Sequence, residues 1–288
     1  MSVKKSMYTL MILMTAALWG LMGLWNRRLA GYGISPYSIV TIRNTGALIA
    51  LTLVFAFTRR SVFRVSFRHL KYFFGAGVVS ILLFSLCFFS CQQFCSLAVA
   101  STLVYIAPAI VVLLSAVIWK EPITRKKLLA LALTLLGCMC ATGLFSGGLE
   151  FSAKGILLGL LSGFFFALYS IFGRFALEHY EPMTVVYWTF VFCGLGALFF
   201  LRPSELAAAS GEPGMWLYGG ALAVLSTAVA YILYTRGLSH VEAGKAAIIC
   251  CFEPIVSSIV GVAAFHESMS AMTLLGMLLV LCGVCILR

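Results

Sequence analysis

Glu253 is a carboxylate where a carboxylate is costly. It stands in "CFEPIVSSIV", about ten residues into a long apolar run, which at the rise of a helix is roughly 15 Å of depth. In a hydrocarbon layer about 30 Å thick that is close to the middle, where an acid must face a cavity, pair with a cation or hold a proton. Pro254 follows it, removing a backbone donor and loosening the helix at the same point. Glu253 is therefore expected either to bind a substrate amine or to carry a coupling proton. The competing reading is a structural Glu bonded to a neighbouring helix.

Arg43 is the cation at depth, about seven residues into the second apolar run. Its guanidinium could hold a carboxylate through two bonds, although an Arg at this depth more often snorkels or pins adjacent helices. Trp19, Tyr105 and Tyr169 also lie well inside their runs, where a polar-tipped ring needs a partner. Together with Glu253 they could form an aromatic box for an ammonium group. Thr102 shares a helix face with Tyr105, and Gln92 closes the end of the third run, so both are lining candidates. Trp25, Tyr32, Tyr37, Trp216 and Tyr218 near one interface, and Tyr72, Trp119, Tyr180 and Tyr234 near the other, read as an aromatic belt.

The elements that must position these residues are membrane spans. The 288 residues are 62% hydrophobic and 10% charged, against about 45–50% and 25% in soluble chains, and the mean hydropathy is +1.06. Runs of spanning length fall at about 7–29, 36–58, 70–92, 96–118, 127–145, 155–177, 182–201, 214–235, 243–265 and 270–287. Loops this short leave no room for a nucleotide-hydrolysing domain or a soluble catalytic domain. The fold class expected is an all-α integral membrane protein of ten transmembrane helices.

The net charge of +11 is read as topology rather than as a surface for nucleic acid. Fifteen cations fall on one side (Lys4, Lys5, Arg59, Arg60, Arg64, Arg68, Lys71, Lys120, Arg125, Lys126, Lys127, Arg174, Arg236, Lys245 and Arg288). Four fall on the other (Arg27, Arg28, Lys154 and Arg202). This split places both termini in the cytoplasm and the protein in the cytoplasmic membrane. The ten cysteines sit in or beside apolar runs and read as packing residues, and no cofactor, metal ligand set or nucleotide loop is expected.

The sequence also repeats. Pro108 precedes Glu121 by the same interval as Pro254 precedes Glu267, and the 146-residue offset carries Gly137 onto Gly283 and Pro36 onto Pro182. With a small slip, "ALWGLMG" falls on "ALYSIFG", pairing Trp19 with Tyr169. Residues 1–148 and 149–288 are thus read as two five-helix units. An odd number of spans per unit inverts the second relative to the first, which places a binding site between them near the midplane. Glu121 and Glu267 end helices on opposite faces and are expected to accept from backbone N–H groups at the next helix start. Gly155, Gly159 and Gly163 form a close-packing motif, within the bundle or at a homodimer contact.

Two five-helix repeats, each with a Pro-bearing fourth helix ending in "KEPIT" or "HESMS" and a following helix with Gly137 or Gly283, resemble the EamA family of the drug/metabolite transporter superfamily. "TIRNTGALIA" around Arg43 in the second helix fits as well. The resemblance covers nearly the whole chain. It implies a ten-helix secondary transporter with a central cavity that moves small metabolites such as amino acids, often outward. One departure is Thr189, which stands where the second repeat would match Arg43, so the role of Arg43 is not symmetric.

The function expected is alternating-access transport of an amino acid or amine, as an exporter or facilitator. The alternative is uptake of a quaternary amine such as choline, which an aromatic and acidic box would also suit. From other classes, a passive channel would require a ring of like polar residues. An integral-membrane enzyme would require a nucleophile beside Glu267 and His266. The partners expected are a small-molecule substrate, the lipid bilayer and a coupling proton, with no nucleic acid.

Overall fold

The computed structural model describes residues 3–142, 144 and 152–287, and the regular structure among them is helical. The side chains of Lys4 and Lys5, all of Arg288 and the repeat boundary at 148/149 lie outside the described residues. In chain order the helices are α1 (Val3–Gly20), α2 (Met22–Ala30), α3 (Pro36–Thr58), α4 (Leu70–Phe74), α5 (Leu83–Cys91), α6 (Leu97–Val104), α7 (Ala107–Trp119) and α8 (Arg125–Ala141). There follow α9 (Ala153–Leu177), α10 (Pro182–Ala197), α11 (Pro203–Ala209), α12 (Pro213–Ala223), α13 (Ala230–Leu238), α14 (Ala243–Cys250), α15 (Glu253–Phe265) and α16 (Ala271–Ile286). No strand occurs among the described residues.

Eight continuous stretches are long and apolar enough to cross a membrane: Ser6–Ala30, Pro36–Thr58, Phe67–Cys91, Val99–Trp119, Ala153–Leu177, Pro182–Phe200, Pro213–Leu238 and Ala243–Phe265. Their outward faces carry large apolar side chains such as Phe57, Val117, Leu217 and Phe199, the last 89% exposed. Only lipid makes such a surface stable. The remaining two expected spans form α8, of 17 residues, and α16, of 16, both short of the roughly 20 that span a bilayer. These two helices lie antiparallel and backbone to backbone. A Cβ on Gly137 would sit 2.7 Å from the Gly276 carbonyl oxygen, and one on Gly283 would sit 2.8 Å from that of Ala130.

Two of the expected single spans are broken at midlength. Pro108 has no N–H to give the Val104 carbonyl, and Pro254 none for Cys250. At both places the chain tightens to bonds three residues apart: Ile106 N–H reaches Leu103 at 3.4 Å, and Phe252 N–H reaches Ile249 at 3.1 Å. The helices restart at Ala107 and at Glu253, 146 residues apart, and α7 and α15 both end in a left-handed residue, Lys120 and His266, each with φ of 54°. The third and seventh stretches each contain a π-helical segment, Gly75–Leu82 and Val224–Val229.

Like α8 and α16, α3 and α10 stand at matching positions and pass each other in opposite directions. Thr41 of α3 donates to the Ala197 carbonyl of α10 at 2.7 Å, while Phe55 further along α3 meets Tyr187 near the start of α10. The main core lies between them, around Trp19, Val40, Phe55, Val111, Tyr169, Phe190 and Tyr231. Gly155, Gly159 and Gly163 are covered within this chain, since Cβ atoms there would strike Cys95, Leu103 and Ile106.

Candidate functional site

The break before α15 turns Glu253 into the first residue of a helix, in its first turn, facing a cavity of about 430 Å³. The cavity is walled by α1, α2, α3, α5, α6, α9, α13 and α15 and reaches the surface beside Arg27, Ala30 and Leu97. Its deep end holds Trp19, Arg43, Ser85, Tyr105, Tyr231 and Glu253. Five of the seven candidate residues therefore meet in one space: Glu253, Arg43, Trp19, Tyr105 and Gln92.

Arg43 is held by its neighbours yet not saturated. Its Nη2 donates to Ser85 Oγ at 3.1 Å and its Nη1 lies 3.4 Å from Met22 Sδ, while Nε has no partner. Glu253 forms no hydrogen bond or ion pair among the described residues, and the two opposite charges do not pair with each other across the cavity. An acid with no partner among the described residues and a partly free guanidinium thus line one cavity, and groups of complementary charge are what such side chains can bind.

The aromatic wall is continuous. Trp19 packs against Phe166, Tyr231 and Tyr234 with centroids 5.8, 5.4 and 5.5 Å away, and its Nε1 is buried without a partner. Tyr169 stands one layer behind. It lies edge-on to Tyr231 at 4.8 Å, shares its hydroxyl with Thr235 at 2.7 Å, and lines a separate cavity of about 30 Å³ together with Trp19. Thr102 turns away and bonds Thr142 at 2.7 Å. Tyr234, expected in the interfacial belt, is 3% exposed and bonds Ser170 at 2.7 Å. Depth along a helix does not set the direction around it, and Tyr234 points inward.

Sequence reasoning passed over Tyr231, Phe166, Ser85, Asn26 and Ser257, which also line the large cavity. One signal was available for two of them, because Ser85 and Tyr231 are 146 residues apart.

Both chain ends of the bundle carry an acid from the repeated motif. Glu121 accepts from Arg174 and from the Ala243 N–H at 3.2 Å, and lies 3.5 Å from Lys127, which in turn bonds Glu242 at 2.9 Å. The backbone group it satisfies thus starts α14, not the next helix, whose cap is Thr124. Burial pushes the Glu121 carboxyl up, but Arg174 and Lys127 outweigh it and hold the acid below its ordinary range. Glu267 pairs with Arg27 instead of a backbone group. Arg27 and Arg28 also stand 4.8 and 5.6 Å above the Phe265 ring.

The sequence pattern of the EamA-like transporter family matches residues 6–143 and 153–288. An uncharacterized transporter of Archaeoglobus fulgidus is 33% identical over 67% of this chain and 68% of its own, and a second from the same organism is 25% identical over 87% and 88%. The uncharacterized inner membrane transporter YicL of Salmonella typhimurium is 27% identical over 72% and 69%. A crystal structure of another protein superposes with a TM-score of 0.80 over 98% of this chain and 96% of that one, at 19% identity, which speaks to the fold alone.

Proposed function

The chain belongs to the EamA-like transporter family, and from that premise we propose that it is a secondary transporter exporting a small amino-bearing metabolite, an amino acid or amine, by alternating access. On this reading it has ten spans in two inverted repeats, residues 1–148 and 149–288, with both termini on the cytoplasmic side of the cytoplasmic membrane. The observation that carries the reading is the pair of opposite, unpaired charges, Glu253 and Arg43, lining one cavity with an aromatic wall.

The chemistry follows from those groups. Glu253 attracts the ammonium group of the cargo and, when empty, is free to take a coupling proton, so that proton and amine compete for one carboxylate. Arg43, steadied by Ser85, offers its remaining N–H groups to a carboxylate. The faces of Trp19, Phe166 and Tyr231 receive the apolar body of the cargo or an alkylated ammonium. A cavity of about 430 Å³ lies in the range of roughly 300–1,000 Å³ typical of small-molecule sites. Those same ring faces support a second reading, uptake of a quaternary amine such as choline.

The deciding experiment is a ligand-induced thermal-stability screen of the purified protein against amino acids, amines and choline at two pH values. Stabilisation by α-amino acids above the matching amines supports the first reading, and stabilisation by choline alone supports the second. Glu253→Gln in liposomes should lose most uptake and its dependence on pH. Full transport by this variant across pH would remove Glu253 from both roles.

A further inference from the structure

Glu121 and Glu267 occupy the same place in the same turn. Each follows the left-handed residue that ends its helix, Lys120 after α7 and His266 after α15, and the two lie 146 residues apart. Each reaches out of its own half of the chain to an arginine in the last turn of a helix in the other half. Glu121 binds Arg174 of α9, and Glu267 binds Arg27 of α2. An acid in the same turn thus binds an arginine of the other half at both ends, although the 146-residue offset carries Arg174 onto Arg28 rather than Arg27.

The two copies are in different states. The Glu121 and Lys127 side chains are 5% and 6% exposed, and this cluster also ties in Glu242 and the first N–H of α14. Trp119 closes over it, lying 4.6 Å from the Arg174 guanidinium and donating to Glu178 at 3.0 Å. No residue of this end lines the large cavity. At the opposite end Arg27 and Glu267 are each 48% exposed, and Arg27 is itself part of the cavity mouth. The positions matching Lys127 and Glu242 there are Thr273 and Ser96, both uncharged: Thr273 lies in the first turn of α16 against its cap Ser270, and Ser96 caps α6.

We propose that Glu121–Arg174 and Glu267–Arg27 are a single gate built twice, one at each mouth of the translocation path, and that the two work in opposition. In the state described here the Glu121 gate is shut and the Arg27 mouth is open. Passage of cargo exchanges the two arrangements. The Glu267–Arg27 pair becomes the buried one, and Glu121–Arg174 becomes the exposed one at an open mouth. Lys127 and Glu242 have no charged counterpart at the other end, so they bias the empty protein toward the state open beside Arg27. This inference rests on the transporter reading, because opposed gates have a purpose only around an alternating site.

Hydrogen–deuterium exchange on the full-length protein in lipid nanodiscs tests it without any cargo. Glu121→Gln should speed amide exchange about fivefold in 119–125 and 239–246, and at the same time slow it by a similar factor in 24–33 and 263–270, as a coupled two-state shift requires. A purely structural role would speed exchange at the Glu121 end and leave the far end unchanged, and that result overturns the proposal. Arg27→Gln, at a half-exposed pair that the fold tolerates losing, should give the mirror pattern, with added protection at the Glu121 end. Loosening of both ends by Arg27→Gln likewise overturns it. Failure of the ligand screen leaves these exchange patterns untouched, so loss of the transport reading and loss of the gate are told apart.

Discussion

Arg43 and Glu253 show how much a single side chain's surroundings decide. An unpaired charge inside a bundle is normally neutralised by a neighbour, yet these two share a cavity and leave each other free. Their separation makes Arg43→Lys informative, since lysine keeps the charge but loses the planar fork. Ligands with a carboxylate should bind about tenfold more weakly to this variant, by titration of thermal stability. Amines without a carboxylate should bind as before. Equal loss for both ligand types would mean that Arg43 only pins helices.

Glu205 is a second residue whose role is electrostatic, and it lies outside the spans. It accepts from Ser38 Oγ at 2.6 Å and from the hydroxyl and N–H of Ser35 at 2.7 and 3.0 Å, with Arg202 at 3.3 Å. The Ser38 bond, then those of Ser35 and Arg202, outweigh its loss of solvent and pull its pKa from 4.5 down to about 2. A depressed acid stabilises the fold above its unfolded value, and that stabilisation is lost as pH falls from about 4.5 through about 2. Glu205→Gln should therefore melt below the parent at pH 7, and the gap should narrow steadily in melts taken toward pH 3.

At the scale of elements, the broken helices are the features that make the site. Restarting α15 at Glu253 places the acid in the first turn of a helix, at the positive end of its dipole. Pro254→Ala restores a donor for the Cys250 carbonyl and should mend the break. Thermal stability should hold or rise, while transport falls about tenfold because the hinge stiffens.

Much of this was legible in the sequence. The runs read at 36–58, 182–201 and 243–265 became Pro36–Thr58, Pro182–Phe200 and Ala243–Phe265, because prolines and charges punctuate them sharply. Glu253, Arg43 and Trp19 were found by depth alone, since an acid, a cation or an indole at midplane is conspicuous in any apolar run. Tyr231, Phe166 and Ser85 were missed, because a cavity wall is chosen by rotation about the helix axis. In a span that is apolar all round, hydrophobic periodicity carries no such angle. The shortness of α8 and α16 was hidden as well. The run read at 270–287 became Ala271–Ile286, while that read at 127–145 starts two residues earlier, after its cap Thr124, and ends at Ala141.

The family pattern matches the chain twice, and helices of both matched segments wall the cavity, with a charge cluster at each end of the molecule. α8 and α16 stand at its edge, joined to each other through Gly137, Gly276 and Gly283. They present Leu128, Leu129, Leu136, Leu274, Leu275 and Leu278 outward.

That edge pair carries a consequence for the membrane itself. Helices of 17 and 16 residues are about 25 Å long, beside a hydrocarbon layer about 30 Å thick. On the ten-span reading proposed above, lipid at this flank thins or the pair sinks, and either strain is felt as a modest energy per ångström. Thickness then acts as a mechanical load applied to one side of the protein. Reconstituted in bilayers of stepwise longer acyl chains, the protein should be most heat-stable in the thinner ones. Gly137→Leu, which pries α8 from α16, should destabilise it by about 1–3 kcal/mol and flatten that dependence on chain length.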